Sequence, residues 1–566
     1  MKMNNSFTEG RLPYIPLWLV WVTALSFVLI GLGSFGILDN NEGLYAEIPR
    51  EMLAAHDWRM WIIPHLNGLP YMEKPPLLYW LTALSFALFG ESEWSARLVP
   101  ALSSLACVGL LLGFGNAARR PQAGRLAAIM FSSGVGVIAM SRVLMFDMLL
   151  TALLTAALMF AYRYQREGLK SMLRISYAFL ALALLAKGLV ALVLFGLVAL
   201  TFTLSSQRSV ASLWPAIGKW FEPTSLFVFM VIAAPWHIAA SLVEPVFAWF
   251  YFINEHVLRF LGRREPHDYY AGAWWYYLPR MALYLFPWTF LLTCLIFRSK
   301  DAGRGPDDRD HGTLNRYLWL AWLLPLAFFS VSSAKANYYL VAVMPFAAFH
   351  LALAIEGRNL TGVMRALPGL IIGAAAAAFL VALVLRNDES KQIFSIFGLS
   401  QREFVLGAVA GIAVLALAAA RLAWRRAGIG LLAYLAVPVW TAAALGLVLS
   451  AMDPLVSTRQ LAHFLSTEHA QRSVYLYRNF EEQSSLPFYL KKPVPVIEPR
   501  SNDLFWGGRL RVNDIMLPLD KFALRLPGEP LAVVVMDRQL KDFKASGFFE
   551  KFKSEKRMGE TTVFFN

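Results

Sequence analysis

Apolar runs of about 18 to 23 residues recur along most of this chain, and each is long enough to cross the hydrocarbon of a bilayer. Inside lipid every backbone polar group must pair within its own segment or a closed barrel, so such runs fold as helices. The 566 residues are 57% hydrophobic and 16% charged, against about 25% charged for soluble domains. The chain therefore reads as a polytopic α-helical membrane protein. Its net charge of +14 is spread over short loops. A nucleic-acid surface needs a concentrated basic stripe, so no nucleic-acid partner is expected. The first run, Ile15–Leu38, lacks a small-residue cleavage site and reads as a retained span. Cys107 and Cys294 lie inside apolar runs and imply no disulfide framework.

The runs fall near 15–38, 77–90, 96–115, 122–141, 145–163, 173–187, 188–204, 224–243, 275–297, 314–332, 338–356, 366–386, 404–424 and 429–450. The second is bounded by Pro75-Pro76 and Glu91. Its length gives about 21 Å of helix, short of a bilayer core of about 30 Å. Cytoplasmic loops collect Lys and Arg. If 77–90 stays in the interface, the basic loops all fall on one side: Lys2/Arg11, Arg119/Arg120/Arg125, Arg163/Arg166/Lys170/Arg174, Arg208/Lys219, Arg298–Arg316, Arg358/Arg365 and Arg421/Arg425/Arg426. That predicts about thirteen spans, a cytoplasmic N-terminus and a C-terminus on the opposite, periplasmic side.

Two domains follow. Residues 1–450 form the membrane domain, with periplasmic loops at 39–95 and 244–274, and residues 451–566 form a small periplasmic α/β domain. Ser473–Tyr477, Val494–Glu498, Leu531–Asp537 and Thr561–Phe565 are short and rich in Val, Tyr and Phe, the composition of strands. Arg538–Gly547 has helical spacing, and 301–313 reads as a cytoplasmic linker.

The orientation gathers the unusual polar residues on one face. The first loop runs Asp39-Asn40-Asn41-Glu42-Gly43-Leu44-Tyr45 and closes at Tyr71-Met72-Glu73-Lys74-Pro75-Pro76. Charges at a membrane edge are costly unless they bind or catalyse something. On the same face lie Asp147 after Ser141-Arg142, Lys187 in Ala-Lys-Gly, and the run Glu255-His256-Val257-Leu258-Arg259-Phe260. Lys335 and Tyr338-Tyr339 follow. Each has a plain alternative: a helix-dipole carboxylate at Asp147, snorkelling at Lys187 and Lys335, an i,i+4 pair between Glu255 and Arg259. Tyr269, Tyr270 and Trp274–Tyr277 read as an interfacial aromatic belt. Glu73 and His256 form a weak metal pair.

In this order the motifs resemble the bacterial GT-C glycosyltransferases of the aminoarabinose-transferase and protein O-mannosyltransferase type. The resemblance rests on the acidic loop before Tyr45-Ala46-Glu47-Ile48, Glu73-Lys74-Pro75-Pro76, the lead into Asp147, Ala186-Lys187-Gly188, the Glu255–Phe260 segment and Lys335-x-x-x-Tyr339. It implies an inner-membrane enzyme that moves a sugar from an undecaprenyl-phosphate donor to a periplasmic acceptor. Lipid A or lipopolysaccharide core comes first among acceptors, then a protein hydroxyl. It implies that Lys74 and Arg259, with Lys187, hold the donor phosphate. Glu42, Asp147, Asp39, Asn41 and Tyr339 are the catalytic candidates, and Tyr45, Tyr71, Lys335 and Tyr338 the substrate contacts. No cofactor is required, although Glu73 and His256 match positions where a divalent ion (Zn, or Mg/Mn) sits. The chain departs from the pattern at Asn41-Glu42, where the family usually carries Asp-Glu. An amide accepts no proton near neutral pH, so the base must lie elsewhere. A lipid-linked-sugar transporter would also place charges at membrane edges. It would usually show repeats and broken helices near the midplane.

Overall fold

The long apolar runs are mostly helical in the computed structural model, which describes residues 14–267, 272–292, 308–356, 369, 371–372, 401–425, 436–526 and 528–566; the expected first run, 15–38, is helical only over Leu17–Leu29, and Gly134 interrupts the run at 122–141. The longer helices are α1 (Leu17–Leu29), α2 (Asn41–Ala54), α3 (Leu77–Phe89), α4 (Leu98–Ala117), α5 (Pro121–Ser133), α6 (Phe146–Glu167), α7 (Lys170–Lys187), α8 (Val190–Ser205) and α9 (Pro223–Val243). After them come α10 (Asp308–Val331), α11 (Met344–Ile355), α12 (Gln401–Arg425) and α13 (Ala436–Val456). Among the described residues, five helices are long and apolar enough to cross a membrane, and five more apolar helices have 10–17 residues. The expected count of thirteen also draws on most of 366–386 and on parts of 275–297 and 429–450 that lie outside the described residues. Tyr269 and Tyr270 lie outside them too. The expected linker 301–313 ends early, because α10 already begins at Asp308.

Helix α3 has 13 residues, about 20 Å at 1.5 Å per residue. Gly90 ends it at φ 80°, a left-handed position that costs glycine nothing. Ser92 then caps the short turn Glu93–Ala96 through Ser95. Helix α6 is the most enclosed of the long helices together with the segment through α11, and it packs against α4 and α7. Helix α9 lies on α7 and leaves most of its surface, including Phe227, Met230 and Leu242, facing outward.

The C-terminal domain is a mixed six-stranded sheet of order β5-β4-β3-β6-β8-β7. Its strands are β3 (Ser473–Tyr477), β4 (Val496–Ile497), β5 (Met516–Leu517), β6 (Leu531–Met536), β7 (Ser554–Met558) and β8 (Thr561–Phe565); β1 (His65–Leu66) and β2 (Leu69–Pro70) pair in the first loop. Strands β3 to β6 run parallel, and β8 pairs antiparallel with β6 and β7. β6 is an unbroken apolar run, Leu-Ala-Val-Val-Val-Met, as a strand covered on both faces requires. β7, Ser-Glu-Lys-Arg-Met, is charged and exposed, which blunts the edge against further pairing. That same polarity hid β7 from the sequence, and β5 was hidden by its two-residue length. The expected helix over 538–547 is a short turn, Leu540–Lys544.

The loops leaving the carboxyl ends of β3 and β4 face the membrane domain. Asn40 N–H donates to Glu481 O at 2.7 Å, Ser484 Oγ donates to Asn40 O at 2.8 Å, and Asp39 N–H donates to Val456 O at 2.8 Å. A Cβ at Gly43 would lie 2.3 Å from Ser484 Oγ and 2.6 Å from Ser485 N. Glycine there lets the first loop and the soluble domain meet backbone to backbone.

Candidate active site

A cavity of about 590 Å³ opens where the first loop, α6, α7, the 249–264 segment, the end of α10 and the C-terminal domain meet. Its polar wall carries Asn41, Tyr45, Tyr71, Glu73, Lys74, Asp147, Lys187, Glu255, His256, Arg259, Arg264, Tyr338, Tyr339, Asn502 and Asp503. Its apolar side carries Leu189, Val190, Val193, Val257, Phe260 and Leu261. Val193, Val257, Phe260 and Leu261 are also exposed on the outer surface, so this side opens laterally. Eleven of the fourteen residues singled out from the sequence line this one space: Asn41, Tyr45, Tyr71, Glu73, Lys74, Asp147, Lys187, His256, Arg259, Tyr338 and Tyr339.

Local structure explains each position. Asn41 and Tyr45 are one turn apart on α2, so they share a face. The Tyr45 ring meets Phe146 edge-on at 4.8 Å. Asp147 sits in the first turn of α6, where the helix dipole favours a carboxylate, and it forms an ion pair with Lys187 in the last turn of α7. The Lys187 ammonium lies 4.7 Å from the Tyr339 ring centroid and 5.2 Å from that of Tyr338. Gly188 follows at φ 90°, and a Cβ there would stand 2.5 Å from His256 Nε2. This explains the Ala-Lys-Gly motif physically: lysine reaches into the cavity, and glycine lets the 249–258 segment pack behind it.

The cations are organised around two carboxylates. Glu255 Oε2 accepts from Arg259 Nη1 at 3.1 Å and lies 3.7 Å from Lys74 Nζ. Arg264 bridges, with Nη2 donating to Glu73 Oε1 at 2.7 Å and Nε to Glu255 Oε1. Burial alone would raise the Glu255 carboxyl, but Lys74, Arg264 and Arg259 outweigh it and hold the group well below the usual carboxylate range. Glu255 is thus the anchor that keeps three cations together. The sequence pointed to Glu255 only as an i,i+4 partner. It did not point to Arg264, whose sole signal is the Arg-Arg-Glu-Pro cluster at 263–266.

Three candidates lie elsewhere. Glu42 is buried and fully bonded: Arg97 Nε and Nη2 each donate at 2.8 Å, and the Leu38 and Leu144 N–H groups donate at 2.9 and 2.8 Å. Arg97 also donates to Leu32 O, Phe35 O and Gly36 O, and its guanidinium stacks 3.8 Å above Phe35. This is a knot tying the first loop to α4, with no free lone pair facing the cavity. Asp39 accepts from Ser485 N and Oγ at 2.9 and 2.8 Å, at the seam with the C-terminal domain. Burial pushes its carboxyl up to about 8. Lys335 is buried, and its Nζ donates to Phe329 O, Ser330 O and Ser332 O. It caps the last carbonyls of α10 instead of reaching a substrate.

The Glu73 and His256 pair does not fit a divalent ion as it stands. His256 Nδ1 is 2.6 Å from Tyr251 O, and Nε2 accepts from Leu189 N–H at 3.1 Å, so both ring nitrogens are engaged. Glu73 is held by Arg264, with Lys74 3.7 Å away. Among the described residues, no three His, Cys, Asp or Glu side chains come together as a metal would need.

Residues 73–238 match the family described as dolichyl-phosphate-mannose-protein mannosyltransferase. The undecaprenyl phosphate-alpha-4-amino-4-deoxy-L-arabinose arabinosyl transferase of Aeromonas salmonicida is 31% identical over 349 residues, 60% of each chain. That of Shewanella sediminis is 32% identical over 348 residues, 59% of each. The matches thus span about three fifths of these curated relatives. The crystal structure of ArnT from Cupriavidus metallidurans bound to undecaprenyl phosphate superposes with a TM-score of 0.79, at 23% identity and over 97% of both chains. The resemblance expected from the motifs is therefore present in sequence over about three fifths of the chain, and the fold is that of the ArnT crystal structure over nearly all of it.

Proposed function

We propose that this chain transfers a sugar from an undecaprenyl-phosphate donor to an envelope acceptor, with lipid A or lipopolysaccharide core as the first expectation. One observation carries it: a single cavity joins a cluster of cations to an apolar side that opens laterally. A phosphate fits the first and a polyprenyl tail the second. The cations Lys74, Arg259 and Lys187 stabilise the negative charge that grows on the phosphate as its bond to the sugar breaks. Asp147 fixes Lys187, and Glu255 fixes Lys74 and Arg259, so these charges are in place before reaction. The acceptor oxygen then displaces phosphate directly at the anomeric carbon. Tyr45, Tyr71, Tyr338 and Tyr339 provide flat, hydrogen-bonding walls for the sugar. A protein hydroxyl is the second acceptor class, favoured by the matching family's description.

Mass spectrometry of lipid A and core oligosaccharide tests this. Cells carrying the intact chain are expected to show an added sugar mass that cells carrying Asp147→Asn lack. Identical profiles would reject a lipid A or core acceptor and move the search to periplasmic glycoproteins.

A further inference from the structure

Four carboxylates stand in the cavity wall: Glu73, Asp147, Glu255 and Asp503. Three are committed to cations, Glu73 and Glu255 to Arg264 and Asp147 to Lys187. Asp503 is different. Its carboxylate makes no hydrogen bond or ion pair among the described residues, while its backbone is pinned. Asp503 N–H donates to Glu481 Oε1 at 3.1 Å, Ser501 Oγ donates to the same oxygen at 2.7 Å, and Leu504 N–H donates to Ser501 Oγ at 3.0 Å. Several bonds thus place a half-buried acid whose carboxylate makes no hydrogen bond or ion pair of its own among the described residues. It follows the carboxyl end of β4, the edge of a parallel sheet where ligand-contacting residues gather.

We infer that Asp503, supplied by the C-terminal domain, is the base that takes the proton of the acceptor hydroxyl. This rests on the glycosyl-transfer function proposed above. The elimination is chemical. Asn41 is an amide and accepts no proton near neutral pH. Glu42 has its oxygens filled by Arg97 and two backbone N–H groups. Asp503 lies in electrostatic range of Tyr45, one turn along α2 from Asn41, and of Tyr71 and Tyr79. Its surroundings make its ionised form a stronger proton acceptor than a free carboxylate. Burial, then the negative charges of Glu73 and Glu481, push its carboxyl well above the usual carboxylate range, against the opposing pull of Arg264 and Lys74. In the step, the acceptor O–H proton passes to the Asp503 carboxylate while the acceptor oxygen bonds to the anomeric carbon. The bond from that carbon to the phosphate oxygen breaks, and its electron pair stays on the phosphate. The carboxylic acid then returns its proton to water.

The test uses the purified full-length chain in lipid nanodiscs, with synthetic undecaprenyl phosphate-linked 4-amino-4-deoxy-arabinose as donor probe and lipid A as acceptor. Asp503→Asn is expected to lower kcat by about 10²- to 10⁴-fold, with KM for the donor within about twofold and undecaprenyl phosphate binding unchanged. The acid limb of the kcat profile is expected to vanish with the amide and to return, displaced, in Asp503→Glu. A kcat within about threefold of the intact chain, or a parallel loss of donor binding, overturns the assignment. If the amide variant does not fold, Asp503→Glu decides: a displaced acid limb supports the assignment, and an unmoved one overturns it. No transfer by the intact chain would overturn the glycosyl-transfer function itself, and the role of Asp503 with it.

Discussion

Two carboxylate–cation regions lie on either side of the first loop, and they do opposite work. Under the loop, Glu42 and Arg97 have every oxygen and every guanidinium nitrogen satisfied and are sealed from solvent. In the cavity wall, Glu255 and Asp147 are buried, but their partners Arg259, Lys74 and Lys187 retain exposure to an open space of about 590 Å³. Both regions look alike as sequence, charges at a membrane edge. The difference is residual valence. A saturated, sealed pair holds the fold, whereas cations that keep exposure to a cavity can bind an anion.

That contrast breaks first at Arg97. Arg97→Met leaves Glu42 charged and unpaired in the interior, which typically costs about 3–5 kcal/mol. The expected outcome is loss of folded protein, seen as collapse of the thermal transition and of the monodisperse peak in detergent. Arg259→Gln should do the reverse. Glu255 keeps Arg264 and Lys74, so stability should change by less than about 1 kcal/mol. Transfer rate should fall by about 10²- to 10³-fold, as for loss of one donor to a developing charge.

Lys335 sharpens the comparison, because sequence placed it among substrate contacts and the structure puts it on three carbonyls at the end of α10. Lys335→Met should lower stability by about 1–3 kcal/mol, as for unmade buried hydrogen bonds, while turnover per folded molecule stays near that of the intact chain. At Asp39 the expected effect is a slope of stability with pH. Its folded carboxyl titrates at about 8, above an unfolded value of about 4. The folded state therefore binds the proton more tightly, and stability is fully present below about pH 4 and declines as pH rises toward 8. Asp39→Asn should flatten that decline in thermal unfolding between pH 5 and 8. An equal slope in both chains would remove Asp39 from the seam's pH response.

Much of the cavity was legible because orientation and motif order agree. The positive-inside pattern put Lys74, Asp147, Lys187, His256, Arg259 and Tyr339 on one face, and they line one space. The roles of Glu42 and Lys335 were not legible, since each depends on partners that no local pattern reveals. Glu42 meets an arginine 55 positions away. Lys335 meets backbone carbonyls, which every residue carries. Arg264 and Asp503 were missed for the same reason: their meaning comes from what the fold brings opposite them. In the C-terminal domain the apolar strands β3, β6 and β8 announced themselves, whereas charged β7 did not. An edge strand is polar because it is an edge, and the sheet has to be assembled before that is visible.

The most direct test of the account is binding of undecaprenyl phosphate to the purified chain, measured by native mass spectrometry on intact protein, Arg259→Gln and Lys335→Met. One lipid is expected to bind the intact chain and Lys335→Met, with at least tenfold weaker binding by Arg259→Gln. Equal binding by all three, or loss in Lys335→Met alone, would contradict the division between a saturated scaffold and an anion-binding cavity.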